Sequence, residues 1–214
     1  MSKKIVFIGD SITDAGRIRE AQGEQRNHAY GFGYVRQIAG SIISEDPTKY
    51  VIINSGIDGN RICDIYARIK KDVWNYEPDV LSILVGVNDL MHEIMTGNGV
   101  EPDRYYTYYD MLLKDTIKRL PNTKIILMEP FFLDGILTEA NHEKFLQLKE
   151  YAEIVKSMAK KYNLEFIPLQ DMFNEVAKGV GATYYLSDGV HPTVAGATLI
   201  AEEWIKCVKE KGII

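Results

Sequence analysis

The sequence is poor in cysteine and in long apolar runs. Only two cysteines, Cys63 and Cys207, occur among 214 residues, and because they lie far apart on apparent helices we expect reduced thiols. The apolar run behind the first four residues stops at Gly9, which is too short for the hydrophobic region of a signal peptide. No run approaches the ~18 apolar residues of a membrane-spanning helix. These absences predict a cytoplasmic protein with no membrane partner.

Blocks of like charge are also absent from the sequence. The net charge of −5 is spread along the chain without a basic block, which argues against nucleic acid as a partner. A hydrophobic content of 46% with 26% charged residues is typical of a globular protein. Neither an internal repeat nor a Pro/Ser-rich linker divides the chain, so we predict a single domain over residues 1–214.

What the chain does contain is a regular alternation of short apolar runs and helical patterns. Each run is continuous and bounded by turn residues, as buried parallel strands are. The predicted strands are 4–9, 50–54, 79–85, 124–129 and 164–168. Apolar spacings of three and four residues predict helices that contain Tyr34–Ile42, Ile62–Val73, 103–120, 139–161 and 193–210. The alternation predicts an α/β protein, a three-layer α/β/α sandwich with a five-stranded parallel sheet.

Three polar or long segments are predicted as loops beside the carboxyl ends of these strands. They are 16–31, 86–102 and 129–139. Because parallel strands all end at the same edge of a sheet, we expect the three loops to gather there.

The first predicted strand ends in Gly9-Asp10-Ser11, which brings a hydroxyl to that edge. Nucleophilic catalysis by serine also needs a base, an orienting acid and donors for the oxyanion. Of the four histidines, His191 stands three residues after Asp188 and directly before the last predicted helix. Asp188 can accept a hydrogen bond from the imidazole Nδ1–H and fix its tautomer. Taken alone, this spacing fits a surface turn with a capping aspartate better.

Two candidate donors follow the second and third predicted strands. Gly59 opens a helix and lets its backbone N–H approach a ligand closely, and Asn88 offers a side-chain amide at the same edge. Glycine and asparagine are also the usual residues of strand-to-helix turns, so either motif alone is compatible with a purely structural role.

Taken together and in this order, the motifs resemble the four blocks of the SGNH (GDSL-type) hydrolases. The blocks are Gly9-Asp10-Ser11, Asn54-x-Gly56-x-x-Gly59, Gly86-x-Asn88-Asp89 and Asp188-x-x-His191. The resemblance extends from residue 5 to beyond residue 200. It implies a flavodoxin-like SGNH hydrolase fold and a serine esterase that works through an acyl-enzyme.

The resemblance also implies a role for each matching residue. Ser11 would be the nucleophile, His191 the general base and acid, and Asp188 its orienting partner. The backbone N–H groups of Ser11 and Gly59 and the side chain of Asn88 would form the oxyanion hole. No cofactor and no metal are needed, and His92-Glu93 lacks the second histidine of a zinc motif.

The family alone does not choose an ester, but several stretches favour one. Residues 8–17, Gly33-Tyr34, 79–89 and Pro130-Phe131 resemble the intracellular acetyl-xylan and xylo-oligosaccharide acetylesterases. The expected substrate is therefore a small-molecule acetyl ester of a soluble saccharide. The same resemblance implies a homo-oligomer. One departure is Leu186-Ser187, which stands before Asp188 where an aromatic residue would offer a sugar-stacking surface.

Two alternatives remain open at the level of sequence. A lysophospholipase or acyl-CoA thioesterase would use the same triad, although the polar 16–31 loop is a poor lid for a long acyl chain. A flavodoxin-like module that binds phosphate or a nucleotide would use the Gly-Asp-Ser and Asn88 loops but would give Asp188 and His191 no role.

Four other features are predicted to be structural. Asp10 is expected to stabilise the turn before Ser11 or to cap the next helix, and Asp89 to bond to loop backbone. Cys63 is interpreted as buried helix packing. The four tyrosines within 105–109 are interpreted as the start of a helix packed on its neighbours.

Overall fold

A computed structural model of the protein describes residues 2–20 and 28–214. Its strands lie close to the predicted ranges, and the three central strands are short, mostly buried apolar runs. The strands are β1 (Lys3–Gly9), β2 (Tyr50–Gly56), β3 (Val80–Leu84), β4 (Lys124–Met128) and β5 (Glu165–Ile167).

All five strands are parallel and form one sheet in the order β2-β1-β3-β4-β5. The register aligns Gly9, the last residue of β1, with Gly56 on one side and Leu84 on the other. The chain therefore leaves β1, β2 and β3 at the same level of the same edge. This alignment brings the first three predicted motifs next to each other.

Nine α-helices connect or follow these strands within the described ranges. They are α1 (Ser11–Asp14), α2 (Tyr34–Glu45), α3 (Ile62–Asp72), α4 (Val87–Thr96), α5 (Pro102–Arg119), α6 (His142–Phe145), α7 (Leu148–Tyr162), α8 (Gln170–Val180) and α9 (Val194–Glu210). Helices α2 and α9 pack together on one face of the sheet, and α3, α5 and α7 cover the other. The predicted three-layer α/β/α sandwich with a five-stranded parallel sheet is confirmed.

Aromatic side chains fill the core on both faces. Under α2 and α9, the Phe7 ring lies 5.9 Å from that of Tyr34 and 5.1 Å from that of Trp204. On the opposite face, Tyr105 packs edge-on against Tyr109 and Tyr151, with centroids 5.4 and 5.0 Å away. Tyr105 and Tyr109 are fully buried, so this part of the tyrosine-rich stretch packs on its neighbours as predicted.

The helices differ from the sequence prediction in three places. The segment 86–102, predicted to be a loop, contains the ten-residue helix α4. The single helix predicted over 139–161 is divided into a short 3₁₀ turn (Glu139–Asn141), α6 and α7. Helix α8 lies in a stretch for which no element was predicted.

No helix in the described part of the chain is long and apolar enough to cross a membrane.

Candidate functional site

Ser11 lies at the carboxyl end of β1, on the first turn after the strand. Asp10 caps this turn, because its Oδ1 accepts a hydrogen bond from the Ile12 N–H at 3.0 Å. The side chain of Asp10 is almost fully buried, whereas Ser11 is partly accessible. The structural role expected for Asp10 is thus seen directly in this contact.

The turn that carries Ser11 sits directly on the end of β2. A Cβ added to Gly56 would lie 2.2 Å from the Asp14 N, and one added to Gly9 would lie 2.3 Å from the Thr13 Oγ1. Only glycine at both positions lets the turn approach this closely. Asn54 adds a polar tie, since its Nδ2 donates to the Thr13 carbonyl oxygen at 2.7 Å.

His191 and Asp188 come together with Ser11 from the other end of the chain. The Ser11 Oγ lies 2.9 Å from the His191 Nε2, and the His191 Nδ1 lies 2.7 Å from the Asp188 Oδ2. The three side chains form a continuous hydrogen-bonded chain at the sheet edge. The structure therefore brings together the three residues that the sequence singled out for nucleophilic chemistry.

The carboxylate of Asp188 is held by its own turn as well as by the imidazole. Its Oδ1 accepts from the backbone N–H groups of Val190 at 2.9 Å and His191 at 2.8 Å. Burial raises the pKa of Asp188, but these backbone hydrogen bonds and the His191 imidazole outweigh it, so the pKa lies below its ordinary value. Asp188 is consequently ionised at neutral pH.

The predicted loop 129–139 packs behind this turn. The Leu133 N–H donates to the Gly189 carbonyl oxygen and the Leu137 N–H to the Asp188 carbonyl oxygen, both at 2.9 Å. A Cβ added to Gly135 would lie 2.3 Å from the Asp188 carbonyl carbon. Part of this loop therefore serves to hold Asp188 in place.

Two backbone N–H groups singled out by the sequence, those of Ser11 and Gly59, make no hydrogen bond within the described residues. Gly59 adopts a positive φ of 73° in a turn closed by a hydrogen bond from the Asn60 N–H to the Ile57 carbonyl oxygen at 3.2 Å. This conformation suits glycine and leaves the N–H of the turn unpaired.

Asn88, the third predicted donor, lies in the first turn of α4. Its side chain is 1% exposed, and its Nδ2 donates to the Asn60 carbonyl oxygen at 3.2 Å. An amide nitrogen carries two hydrogens, so one of them remains available. The next residue, Asp89, is expected to bond to loop backbone, but it accepts at 3.0 Å from the N–H of Ile62, the first residue of α3.

Two buried carboxyl groups, Asp10 and Asp89, lie beneath the site. In each, Oδ2 accepts no hydrogen bond from the described residues. Burial raises the pKa of Asp10 to about 7, against the opposing effects of the Ile12 N–H and the His191 charge. Burial also raises the pKa of Asp89 well above its ordinary range, and the nearby Asp10 adds to the effect.

One residue that sequence analysis missed, Arg68, ties several parts of the site together. From α3 it donates to the Gly9 carbonyl oxygen at 3.0 Å, the Ser55 carbonyl oxygen at 2.7 Å and the Asn60 Oδ1 at 2.7 Å. A lone arginine on a helix with a mixed polar face gives no sequence signal of such contacts. Only the register of the strands reveals them.

Other predicted features lie where they take no direct part. Cys63 is partly buried, and burial raises the pKa of its thiol, which agrees with a packing role. No group of three or more His, Cys, Asp or Glu side chains in the described ranges is arranged to hold a metal ion. In the predicted 16–31 loop, residues 21–27 lie outside the described part of the chain, and Arg17 donates to the Gly56 carbonyl oxygen at 2.8 Å.

A second Asp–His pair occurs away from Ser11. The His142 Nδ1 contacts the Asp134 carboxylate at 2.5 Å on the wall of a cavity of about 720 Å³. The side chains of His142 and Asp134 are 42% and 57% exposed, and neither Ser11 nor His191 lines this cavity. An Asp–His contact is thus not by itself the distinguishing feature of the site at Ser11.

Comparison with known proteins identifies relatives over nearly the whole length. A model of the GDSL-like lipase/acylhydrolase family matches residues 7–199. An acetylxylan esterase from Geobacillus stearothermophilus is 34% identical over 207 residues, which cover 95% of this chain and 93% of that esterase.

Solved structures agree with the sequence matches. A structure described as a GDSL-like lipase from Parabacteroides merdae superposes with a TM-score of 0.90 at 35% identity, covering 100% of this chain and 98% of that one. An acetylxylan esterase from Geobacillus stearothermophilus superposes with a TM-score of 0.85 at 33% identity, covering 96% of this chain and 94% of that one.

Proposed function

The chain belongs to the GDSL-like lipase/acylhydrolase family and is a carboxylic ester hydrolase, and from that premise we propose that Ser11, His191 and Asp188 are its catalytic triad. The observation that carries the proposal is the hydrogen-bonded chain from the Ser11 Oγ through both imidazole nitrogens to the Asp188 carboxylate. Nucleophile, base and orienting acid are thereby connected in the order that acyl transfer requires.

In the proposed reaction, the His191 Nε2 accepts the hydroxyl proton while the Ser11 Oγ attacks the ester carbonyl carbon. The carbonyl oxygen becomes an oxyanion, which the Ser11 N–H, the Gly59 N–H and the Asn88 amide stabilise. The protonated imidazole then gives its proton to the alcohol oxygen as the carbon–oxygen bond breaks. The same imidazole then takes a proton from water as the water oxygen attacks the acyl carbon. It returns this proton to the Ser11 Oγ when the acyl–oxygen bond breaks and the carboxylic acid leaves.

Asp188 supports both proton transfers through electrostatics. Because its pKa lies below the ordinary value, its carboxylate is negative when the imidazole becomes positive. The contact to Nδ1 also holds the tautomer in which Nε2 is free to accept a proton. Asp188 is expected to stay ionised throughout the cycle.

We further propose that the acyl group is acetyl and the alcohol a soluble saccharide. The similarity to an acetylxylan esterase over 95% of the chain supports this choice. Ser187 is exposed beside Asp188, where an aromatic side chain would add a stacking surface for a sugar ring. The expected preference is therefore for the acetyl group more than for one particular saccharide.

The proposed mechanism is tested first at the nucleophile and at one oxyanion donor. Ser11→Ala should abolish hydrolysis of p-nitrophenyl acetate, because no other group near His191 takes its place. Asn88→Ala should lower kcat by roughly 10²–10³, as removal of one oxyanion donor does in other hydrolases. Full activity of Ser11→Ala would show that the mechanism is wrong.

The substrate is tested by release of carboxylic acid from a panel of esters. Acetylated xylo-oligosaccharides, other acetylated sugars and p-nitrophenyl esters of increasing acyl length should give the highest kcat/KM at acetyl. A kcat/KM that rises with acyl length would instead support a lysophospholipase or an acyl-CoA thioesterase with the same triad.

A further inference from the structure

We propose that Arg68 and Asn60 are positioning residues for the oxyanion hole. In this arrangement, Arg68 fixes Asn60, and Asn60 in turn fixes the orientation of the Asn88 amide. The inference rests on the proposed function, in which Asn88 is an oxyanion donor. Neither Arg68 nor Asn60 touches the reacting atoms.

Asn60 contacts the Asn88 amide directly. The Asn60 carbonyl oxygen accepts from the Asn88 Nδ2 at 3.2 Å. If the amide rotated by 180°, its oxygen would face the Asn60 carbonyl oxygen, and two acceptors would repel each other in a buried place. Asn60 therefore selects the amide orientation in which the second Nδ2–H is free and the amide oxygen is directed away from that acceptor.

Asn60 is itself held in place by two hydrogen bonds. Its N–H closes the turn to Ile57, and its side-chain Oδ1 accepts from the Arg68 Nε at 2.7 Å. The same turn contains Gly59, whose free N–H is another proposed donor. A shift of this turn would move both the Gly59 N–H and the acceptor that orients Asn88.

The Arg68 guanidinium is held in turn by several acceptors. One terminal nitrogen donates to the Gly9 carbonyl oxygen at 3.0 Å, two residues before Ser11. The other donates to the Ser55 carbonyl oxygen and to the Asp72 carboxylate, each at 2.7 Å. The Arg68 side chain is 14% exposed, so most of its surface is packed.

These contacts join the three segments that bear the proposed donors. The end of β1 leads to Ser11, the turn after β2 carries Gly59, and Asn60 reaches Asn88 on α4. A planar guanidinium can hold several acceptors at fixed angles, whereas a lysine ammonium on a flexible stem cannot. Arg68→Lys therefore keeps the positive charge but cannot make the same set of hydrogen bonds at fixed angles.

The experiment measures kcat and KM for p-nitrophenyl acetate in Arg68→Lys and Asn60→Ala. We expect kcat to fall about tenfold or more in each and KM to stay within about twofold, because the donors act on the transition state rather than on the bound ester. Asn60→Ala removes the side-chain carboxamide whose Oδ1 accepts from Arg68, and it leaves the Asn60 carbonyl oxygen in place. It therefore tests the same link if Arg68→Lys does not fold. A wild-type kcat in the folded variants would overturn the proposal.

A double-mutant cycle with Asn88→Ala separates positioning from a general structural effect. Once the Asn88 amide is gone, its orientation no longer matters, so Arg68→Lys should lower the remaining kcat by only about threefold or less. A loss of the same factor in both backgrounds would show that Arg68 acts independently of Asn88 and would overturn the link.

Arg119→Lys provides a matched control for the exchange of arginine for lysine. Arg119 stacks 4.4 Å over the Trp74 ring and makes no contact with the oxyanion turn. Its kcat should equal that of the wild type even if its thermal midpoint falls. A tenfold fall in kcat in this control as well would trace the effect to lost packing and overturn the positioning role.

The full set of single variants distinguishes failure of this inference from failure of the proposed function. Unchanged kcat in both Ser11→Ala and Asn88→Ala would reject the triad and the oxyanion hole, and the positioning role with them. Large losses in those two variants with unchanged kcat in Arg68→Lys and Asn60→Ala would reject only the positioning role.

Discussion

Two Asp–His pairs in the described part of the chain share the same kind of contact and differ in their other hydrogen bonds. In both, a carboxylate oxygen contacts the imidazole Nδ1. Only the Asp188 carboxylate also accepts two backbone N–H bonds, and only the His191 Nε2 reaches a serine hydroxyl. At the residue scale, the two pairs therefore differ in what the imidazole Nε2 and the other carboxylate oxygen contact.

The difference predicts opposite outcomes for the same substitution. Asp188→Asn should lower kcat by about 10³–10⁴, because an amide cannot support the imidazolium and favours the wrong tautomer. Steady-state hydrolysis of p-nitrophenyl acetate measures the loss.

Asp134→Asn is the control for that measurement, since it alters the exposed pair with His142. Its kcat should stay at the wild-type value. Equal losses in the two variants would contradict the assignment of the triad.

Asp10 makes a second prediction at this scale, one that concerns stability and pH. Its pKa is about 7 in the folded protein and 3.8 in an unfolded reference, so the folded state holds the proton more tightly. Between these values the folded state binds more protons than the unfolded state, and stability falls as pH rises. The loss begins near pH 4, is complete above pH 7 and amounts to a few kcal/mol.

Asp10→Asn removes this titration and keeps an oxygen for the Ile12 N–H. The amide carries its own cost of burial, but that cost does not vary with pH. The thermal midpoint of the variant minus that of the wild type should therefore increase between pH 5 and pH 8. Parallel midpoints over that range would show that the Asp10 carboxyl does not titrate there.

At the scale of elements, the site depends on how closely the Ser11 turn approaches β2. A Cβ at position 56 would lie 2.2 Å from the Asp14 N and 2.6 Å from the Thr13 carbonyl carbon, both backbone atoms that cannot move aside. Gly56→Ala should therefore cost about 1–3 kcal/mol of stability or more and displace Ser11, with a fall in kcat. Chemical denaturation and ester hydrolysis measure the two effects.

Gly40→Ala is the matched control within α2. A Cβ at this exposed helical position meets nothing within 4 Å. The change should raise stability by roughly 0.5–1 kcal/mol, because alanine restricts the unfolded chain and favours helix. If Gly40→Ala and Gly56→Ala had equal effects, close packing at position 56 would not be the cause.

Strands β1, β3 and β4 were predictable from sequence because their nearly continuous burial requires a continuous apolar run. Helix α4 was not, because Gly86, Asn88 and Asp89 at its start and Gly97 at its end are turn residues that mask the apolar spacing between them. In 139–161 the helical spacing continues across Leu146 and Gln147, where the backbone turns between α6 and α7. The spacing of apolar residues thus predicts which residues are buried better than it predicts where a helix is interrupted.

For the whole molecule, the order of motifs along the chain pointed to residues that the fold brings together. Ser11, Asp188 and His191 carry side chains whose chemistry is visible in sequence. Arg68 contacts carbonyl oxygens of two strands, and Asn60 contacts the side chains of Arg68 and Asn88. Contacts between segments far apart in sequence exist only once the chain has folded. Their contacts could not be read from residue type or spacing.

The state of assembly is a prediction at this scale. A homo-oligomer follows from the resemblance to acetylesterases, and gel filtration at micromolar concentration checks it. Elution at the volume of a 24.3 kDa monomer would contradict it. That residues 1–214 form one domain likewise stays a prediction, for which a single cooperative unfolding transition is the expected result.

The hydrogen bond between Ser11 and His191 joins residues 180 positions apart in sequence. Because closing a contact between such distant residues costs chain entropy, we expect it to form late in folding. During refolding from denaturant, we expect far-UV circular dichroism to recover before ester hydrolysis does. The recovery of ester hydrolysis would then report when the segment that carries His191 packs against the end of β1.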